Sequence, residues 1–212
     1  MKNSTLVIGL TGGIGSGKTT VGNIFESFGA KLIRADEVAK KVIDSDPQIK
    51  KKIIKYYGNK IYRSNGKLDR FAMANIIFTD RTKLRKLNDI VHPSVIKIID
   101  NEIRALQHIC RYSLVFVEAA LIFEADVESM FDFIIVVHAT QVHRINRIIS
   151  RDRIKRVDVK NRFEAQIPQS KKVQNADFII RNNGDLKSLK KKCKFIFDLL
   201  LTSSHIPMRT LR

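Results

Sequence analysis

Gly12, then four residues, then Gly17-Lys18-Thr19 form the pattern G-x-x-x-x-G-K-[ST], and no other run in the chain constrains its fold as tightly. It follows a short apolar stretch, Leu6-Val7-Ile8-Gly9-Leu10, and precedes a segment with helical apolar spacing. That order has a physical purpose. A strand aims the chain, and glycines let it curl so that successive backbone N–H groups point inward. The helix that follows then brings its positive dipole end under an anion. The run therefore predicts a cradle for a nucleoside triphosphate, made of Gly12, Gly13, Ile14, Gly15, Ser16, Gly17, Lys18, Thr19 and Thr20. Lys18 would reach the β- and γ-phosphates, and Thr19 would offer its hydroxyl to Mg²⁺.

The 212 residues suffice for one ordinary domain with a real core. No apolar run approaches the ~20 residues of a membrane span. The N-terminal apolar stretch is too short for a signal peptide, so a cytoplasmic protein is expected. Cys110 and Cys193 show no metal-site or redox spacing and read as two unpaired thiols. Thirty-nine Lys and Arg against 21 acids give a net charge of +18, which raises nucleic-acid binding as a question. The excess is spread along the chain rather than gathered in one arm. Much of it sits at helical spacing among apolar residues, as on a solvated face. A field of this sign also suits polyphosphate substrates, so no nucleic-acid partner is expected. A monomer is expected too, with an oligomer left open.

Val21, Ile24, Phe25 and Phe28 mark one face of a helix that Gly29 ends. Lys31-Leu32-Ile33 reads as a second strand closed by Arg34-Ala35-Asp36, with a helix after it. Residues 46 to 110 read as almost wholly helical, with Leu84–Val91 and Val95–Leu106 as separate apolar segments around His92-Pro93. Gly58 and Asn65-Gly66 punctuate the block. Leu114–Val117 and Phe133–Val137 are continuous apolar runs, which suits parallel strands buried on both faces. Phe178-Ile179-Ile180 is a last strand. Asp185 then caps a helix carrying Leu186, Leu189, Cys193, Ile196, Phe197 and Leu200, and the tail beyond Leu201 is expected to fray. Strands alternating with helices give a three-layer α/β fold with a central parallel sheet.

Asp36 ends the second strand, at the edge where such a sheet holds ligands. It could orient an attacking hydroxyl and accept its proton, or it could simply cap the next helix. Glu118 ends the strand Leu114–Val117, where a carboxylate can organise magnesium through a water. Glu124 could equally be a surface residue or a cap. Residues 140 to 172 hold ten basic side chains against three acids. Arg144, Arg147 and Arg151 repeat at i, i+3, i+7 on one helix face. They could neutralise transition-state charge as part of a lid, or simply face solvent. His92 before Pro93 reads as a structural histidine. These residues leave open a kinase acting on a small hydroxyl acceptor, a nucleic-acid-stimulated ATPase and a non-catalytic nucleotide-binding module.

Taken in order, the motifs resemble the dephospho-CoA kinase family over nearly the whole chain. They are Leu10–Val21, Ala35-Asp36, His92-Pro93 and Leu121-Ile122-Phe123-Glu124, then Arg147, Arg151-Asp152, Gln166, Ala176-Asp177 and Asn182-Asn183-Gly184. The resemblance implies a P-loop kinase fold. It implies transfer of the ATP γ-phosphate to the ribose 3′-hydroxyl of dephospho-CoA, with Mg²⁺. Asp36 then corresponds to the catalytic carboxylate, Lys18 and Thr19 to the phosphate and magnesium residues, and Arg147 to a lid arginine near the phosphates. Asn182 to Gly184 corresponds to the loop that meets adenine. His92 and Glu118 fall on the acceptor side. The expected division is a core of about 1–40, 111–139 and 173–212, a helical acceptor-binding region of about 41–110 and a lid of about 140–172. Two positions depart from the family pattern. Arg34 stands where an acid is common, and Ala120 stands where a proline is common.

Overall fold

The structure is a computed structural model that describes residues 5–77, 80–152, 159, 163 and 166–204. The expected lid residues Arg153, Lys155, Arg156, Asp158, Lys160, Arg162 and Glu164 lie outside the described residues, as do Phe78 and the tail from 205. The chain divides into two compact units, residues 35–101 and the remainder.

The larger unit is a five-stranded sheet with helices. Its strands are β1 (Leu6–Thr11), β2 (Lys31–Arg34), β3 (Leu114–Glu118), β4 (Phe133–His138) and β5 (Phe178–Arg181). Their order is β2-β3-β1-β4-β5, and every pairing is parallel. The continuous apolar runs become strands covered on both faces, as a parallel sheet requires. On one face α1 (Lys18–Ser27) and the final helix, α8 (Leu186–Ser204), cover Ile8, Leu10, Phe116, Ile135 and Val137. Phe25 stacks on Phe116 at 4.3 Å between ring centroids, with Phe197 behind it at 6.3 Å. The other face is closed by Ile122, Phe123, Phe131, Ile167 and Val173 over Ile134 and Val136. This is the expected three-layer α/β architecture.

Two aspartates seal the amino edge of the sheet. Asp132 accepts from the Val7 N–H at 2.7 Å, and Asp177 from the Ile134 N–H at 2.7 Å. Burial pushes the Asp132 carboxyl above its ordinary range. Because β1 is the central strand and all strands point the same way, the glycine run leaves from the middle of the carboxyl edge, where such sheets bind ligands. The expected cap at Asp185 holds, accepting from the Ser188 N–H at 2.7 Å. Of the tail expected to fray after Leu201, residues 202–204 continue α8 with Ser204 buried, and the rest lies outside the described residues.

The smaller unit is helical: α2 (Ala35–Ser45), α3 (Pro47–Tyr57), α4 (Arg70–Ile77) and most of α5 (Arg81–Ile109). Asp46 caps α3 by accepting from the N–H groups of Gln48 and Ile49, with Pro47 first in the helix. Gly58 ends α3 at φ 87°. Asn65-Gly66 is not merely punctuation between helices: it turns the chain so that Tyr62 and Leu68 form an antiparallel bridge.

Two local expectations are corrected here. Helix α5 runs unbroken through His92-Pro93, with Pro93 inside it. A proline removes one intrahelical hydrogen bond. Buried residues on both sides, Leu87, Ile90, Val91, Val95 and Ile99, hold one apolar stripe in register across it. Asp36 is not a cap either. Helix α2 starts directly after β2, and Asp36 sits exposed in its first turn, where a carboxylate favours the helix dipole.

Candidate active site

The glycine loop connects β1 to α1 as expected, and its glycines are required by geometry. Gly12 and Gly17 have φ of 148° and 94°. A Cβ on Gly12 would lie 2.4 Å from the Val137 carbonyl oxygen, and one on Gly17 would lie 2.3 Å from Asn182 Nδ2. Gly17 is the N-cap of α1 and offers no side-chain cap. The first-turn N–H groups of the helix are therefore left for a ligand.

The carbonyls of the loop are held by side chains. Lys18 Nζ donates to the Gly12 and Gly13 oxygens at 2.8 and 3.4 Å. Arg144 Nε donates to the Ile14 oxygen at 2.8 Å. Arg147 Nη1 donates to the Gly15 and Ser16 oxygens at 3.5 and 3.2 Å, and Asn182 Nδ2 to the Ser16 oxygen at 2.9 Å. Since a peptide's C=O and N–H point in opposite directions, holding the Ile14, Gly15 and Ser16 carbonyls on Arg144, Arg147 and Asn182 also fixes the direction of the amides that follow them. Gln166 Oε1 accepts from the Ile14 N–H at 2.9 Å.

The arginines on α6 (Gln141–Asp152) differ in surroundings, although their spacing is regular. Arg144 is buried and lies over the Phe163 ring at 4.2 Å, so the reading of this stripe as a wholly solvent-facing surface fails there. Burial pushes its guanidinium below the usual arginine range. Arg147 is half-buried and donates from Nη2 to both oxygens of Asn182, at 2.9 Å for the carbonyl and 3.4 Å for Oδ1. Arg151 is exposed in the last turn. Asn183 Oδ1 accepts from the Thr140 N–H at 2.9 Å, tying the loop after β5 to the start of α6. Gly17, Thr20, Arg147, Asn182, Gly184 and Leu186 line a cavity of about 200 Å³ beside the glycine loop. The expected adenine-side residues Asn182 and Gly184 and the expected lid residue Arg147 thus meet at one place.

Thr19 and Glu118 also meet. The Thr19 hydroxyl donates to Glu118 Oε1 at 2.6 Å. Glu118 Oε2 is buried and has no partner among the described residues, as does Ser16 Oγ in the loop itself. An orphaned carboxylate oxygen beside a hydroxyl, at the mouth of a phosphate cradle, is a fitting donor set for Mg²⁺. That ion takes hard oxygen ligands, and in phosphate sites few of them come from the protein.

Glu124, for which a cap or a surface place was open, has a definite task that spacing could not reveal. It receives Lys172 Nζ at 2.7 Å on Oε1 and 3.0 Å on Oε2, and the Ile167 N–H at 3.0 Å. Lys172, counted with the basic segment, has no exposed surface and also donates to the Ala120 carbonyl at 2.7 Å. The unusual Arg34 turns onto α1, where Nη2 meets Asn23 Oδ1 at 2.8 Å and Glu26 Oε2 at 2.9 Å. Asp36 and the half-buried His92 belong to the helical unit, on α2 and α5.

A family model, that of dephospho-CoA kinase (CoaE), matches residues 6–188. The dephospho-CoA kinase of Leptospira interrogans serovar copenhageni is 36% identical over 197 residues, covering 93% of this chain and 94% of that one. That of Fusobacterium nucleatum is 36% identical over 189 residues, covering 89% and 95%. The solved structure of a dephospho-CoA kinase from Campylobacter jejuni superposes with a TM-score of 0.69 at 27% identity, over 96% of this chain and 99% of that one. A shikimate kinase from Acinetobacter baumannii, in complex with shikimate, shares the fold at a TM-score of 0.55 and 14% identity, over 96% and 97%. A family match over most of the chain, together with a carbonyl-anchored glycine loop, an arginine-bearing helix against it and a base-sized cavity beside it, leads to one conclusion: this chain belongs to the dephospho-CoA kinase family.

Proposed function

We propose that the chain phosphorylates the ribose 3′-hydroxyl of dephospho-CoA with ATP, giving coenzyme A and ADP, and that the residues gathered around the glycine loop form the donor half of the site. The observation that carries the donor assignment is the anchoring of every carbonyl from Gly12 to Ser16 by a basic or amide side chain. It fixes the loop, and the α1 N-terminus, uncapped by any side chain, is the proposed seat of the triphosphate. Lys18 leaves its loop carbonyls to meet the β- and γ-phosphates. The adenine enters the cavity at Asn182 and Gly184, and Arg147 stands between base and phosphates.

Thr19 and Glu118 would hold Mg²⁺, Glu118 directly or through a water. When bound, the ion neutralises charge on the phosphate oxygens. Asp36, exposed just past the end of β2, is the candidate to orient the acceptor hydroxyl and take its proton late in an in-line transfer. The helical unit would receive the anionic acceptor, with His92 and Glu118 on the acceptor side. That reading is supported by a cavity of about 450 Å³ within this unit, lined by Lys52, Lys55, Tyr56, Lys86, Asp89 and Ile90. Three ammonium groups against one carboxylate suit a phosphate-bearing ligand. A monomer in the cytoplasm completes the proposal. The free Cys110 and Cys193 agree with a reducing compartment.

The test is a steady-state assay with ATP and dephospho-CoA, with the product weighed. One phosphoryl group added to the acceptor, with stoichiometric ADP, is the expected result. ADP release without acceptor modification, or release only on adding nucleic acid, would overturn the reading.

A further inference from the structure

Arg144 is the buried arginine of α6, and its bonding differs from that of its neighbour Arg147. Nε donates to the Ile14 carbonyl at 2.8 Å and Nη1 to Gln169 Oε1 at 3.0 Å. Nη2 lies so close to Gly13 that a Cβ there would be 2.5 Å from it. One face of the guanidinium lies 4.2 Å from the centre of the Phe163 ring. Gln169 is held in turn, its Nε2 donating to the Val137 carbonyl at 3.1 Å on β4. Ile14 is thereby gripped at both backbone groups, its oxygen by Arg144 and its N–H by Gln166.

The charge is equally informative. Among the described residues Arg144 pairs with no carboxylate, and its partners are one carbonyl and one amide oxygen. A desolvated cation without a counter-ion is costly, and a nearby anion relieves that cost. Two of its N–H groups, on Nε and Nη1, are held by protein oxygens, the first of them the Ile14 carbonyl. Its fork therefore acts through the backbone of the loop.

We infer that Arg144 is a positioning residue. It holds the apex of the phosphate loop by the Ile14 carbonyl before nucleotide arrives, and it adds a positive charge, paired with no carboxylate among the described residues, beside the triphosphate. Preorganisation of this kind raises affinity by removing the cost of ordering the loop on binding. The inference rests on reading the loop as the ATP site. It adds a determinant of that site which regular spacing with Arg147 and Arg151 could not single out.

The experiment compares ATP and inorganic triphosphate binding by calorimetry in the wild type, Arg144→Met, Arg144→Lys and Gln169→Leu. Each is measured well below its unfolding transition, with KM for dephospho-CoA taken in parallel. Arg144→Met should weaken ATP and triphosphate by the same factor, about tenfold or more, the scale of one hydrogen bond to a charged group. KM for dephospho-CoA should stay unchanged. Arg144→Lys should recover little, because a point charge cannot reproduce the fork that meets Ile14 and Gln169 together. Gln169→Leu keeps the charge and serves if Arg144→Met does not fold; it should weaken ATP about threefold. In amide exchange without ligand, the Ile14 N–H should lose protection in Arg144→Met while the strand amides keep theirs. Equal ATP affinity in wild type and Arg144→Met, or full recovery by lysine, would overturn the positioning role. Failure of the wild type itself to bind ATP would instead overturn the donor-site reading.

Discussion

The hydroxyl of Thr19 donates to the Glu118 carboxylate at 2.6 Å, joining the first turn of α1 to the last residue of β3, while the second carboxylate oxygen is buried with no partner among the described residues. If these two side chains organise magnesium, Glu118→Gln should raise the free Mg²⁺ needed for half-maximal velocity by ~10–100-fold. KM for dephospho-CoA at saturating magnesium tests the acceptor side of the same residue. A magnesium requirement unchanged from wild type in Glu118→Gln would remove it from the metal site.

Asp36 is exposed in the first turn of α2, so its replacement by the isosteric Asn should leave folding intact. Loss of a general base typically costs ~10²–10⁴ in rate. Asp36→Asn should therefore lower kcat by that order while ATP affinity stays near wild type. Single-turnover kinetics checks this, and near-normal turnover would end the assignment.

Lys172 is wholly buried and bound to Glu124 and to the Ala120 carbonyl. Burial pulls its ammonium below the usual lysine range, against the opposing pull of Glu124. Removing one partner strands a buried charge, so Lys172→Met should cost roughly 3–5 kcal/mol in urea unfolding. The double variant Lys172→Met/Glu124→Leu should recover much of that loss. Independent, additive losses would show that the two side chains are not coupled.

Tyr57 donates to the Lys83 carbonyl at 2.6 Å and Tyr62 to the Ile43 carbonyl at 3.1 Å. Burial pushes both phenols up to about 12, from the ordinary 10.0. The raised value means that the folded state favours the neutral phenol. The stabilisation is fully present below pH 10.0 and is lost as pH rises toward about 12. Phenolate absorbance should show two late-titrating tyrosines, with helical signal falling over the same range. Replacement of Tyr62 by Phe should remove one late titration and flatten the loss.

Much of this molecule is legible from local pattern. Residues 6–20 carry strand, turn and helix signals in the one order that builds an anion cradle, and the cradle is there. The apolar runs at 114–117 and 133–137 are parallel strands because only burial on both faces tolerates such runs. The pattern misleads where a local signal is outweighed by distant packing. Pro93 suggests a break, but the buried stripe from Leu87 to Ile99 carries one helix past it. Leu186 continues the periodicity of α8, yet it lies exposed at the rim of the cavity beside the glycine loop.

The sequence by itself determined the fold class, the phosphate loop and the ordered motifs that mark the family, because strand, helix and glycine-turn preferences are written within a few residues of each other. Only the tertiary structure decided what the basic residues do. Arg144, Arg147, Arg151 and Lys172 are alike in charge and regular in spacing, but one grips the loop apex, one meets Asn182, one stands exposed and one is buried on Glu124. Their partners stand between 25 and 132 residues away along the chain where the hydrogen bonds are long-range. A side chain's burial and electrostatic worth are set by what folds against it, and no local pattern records that.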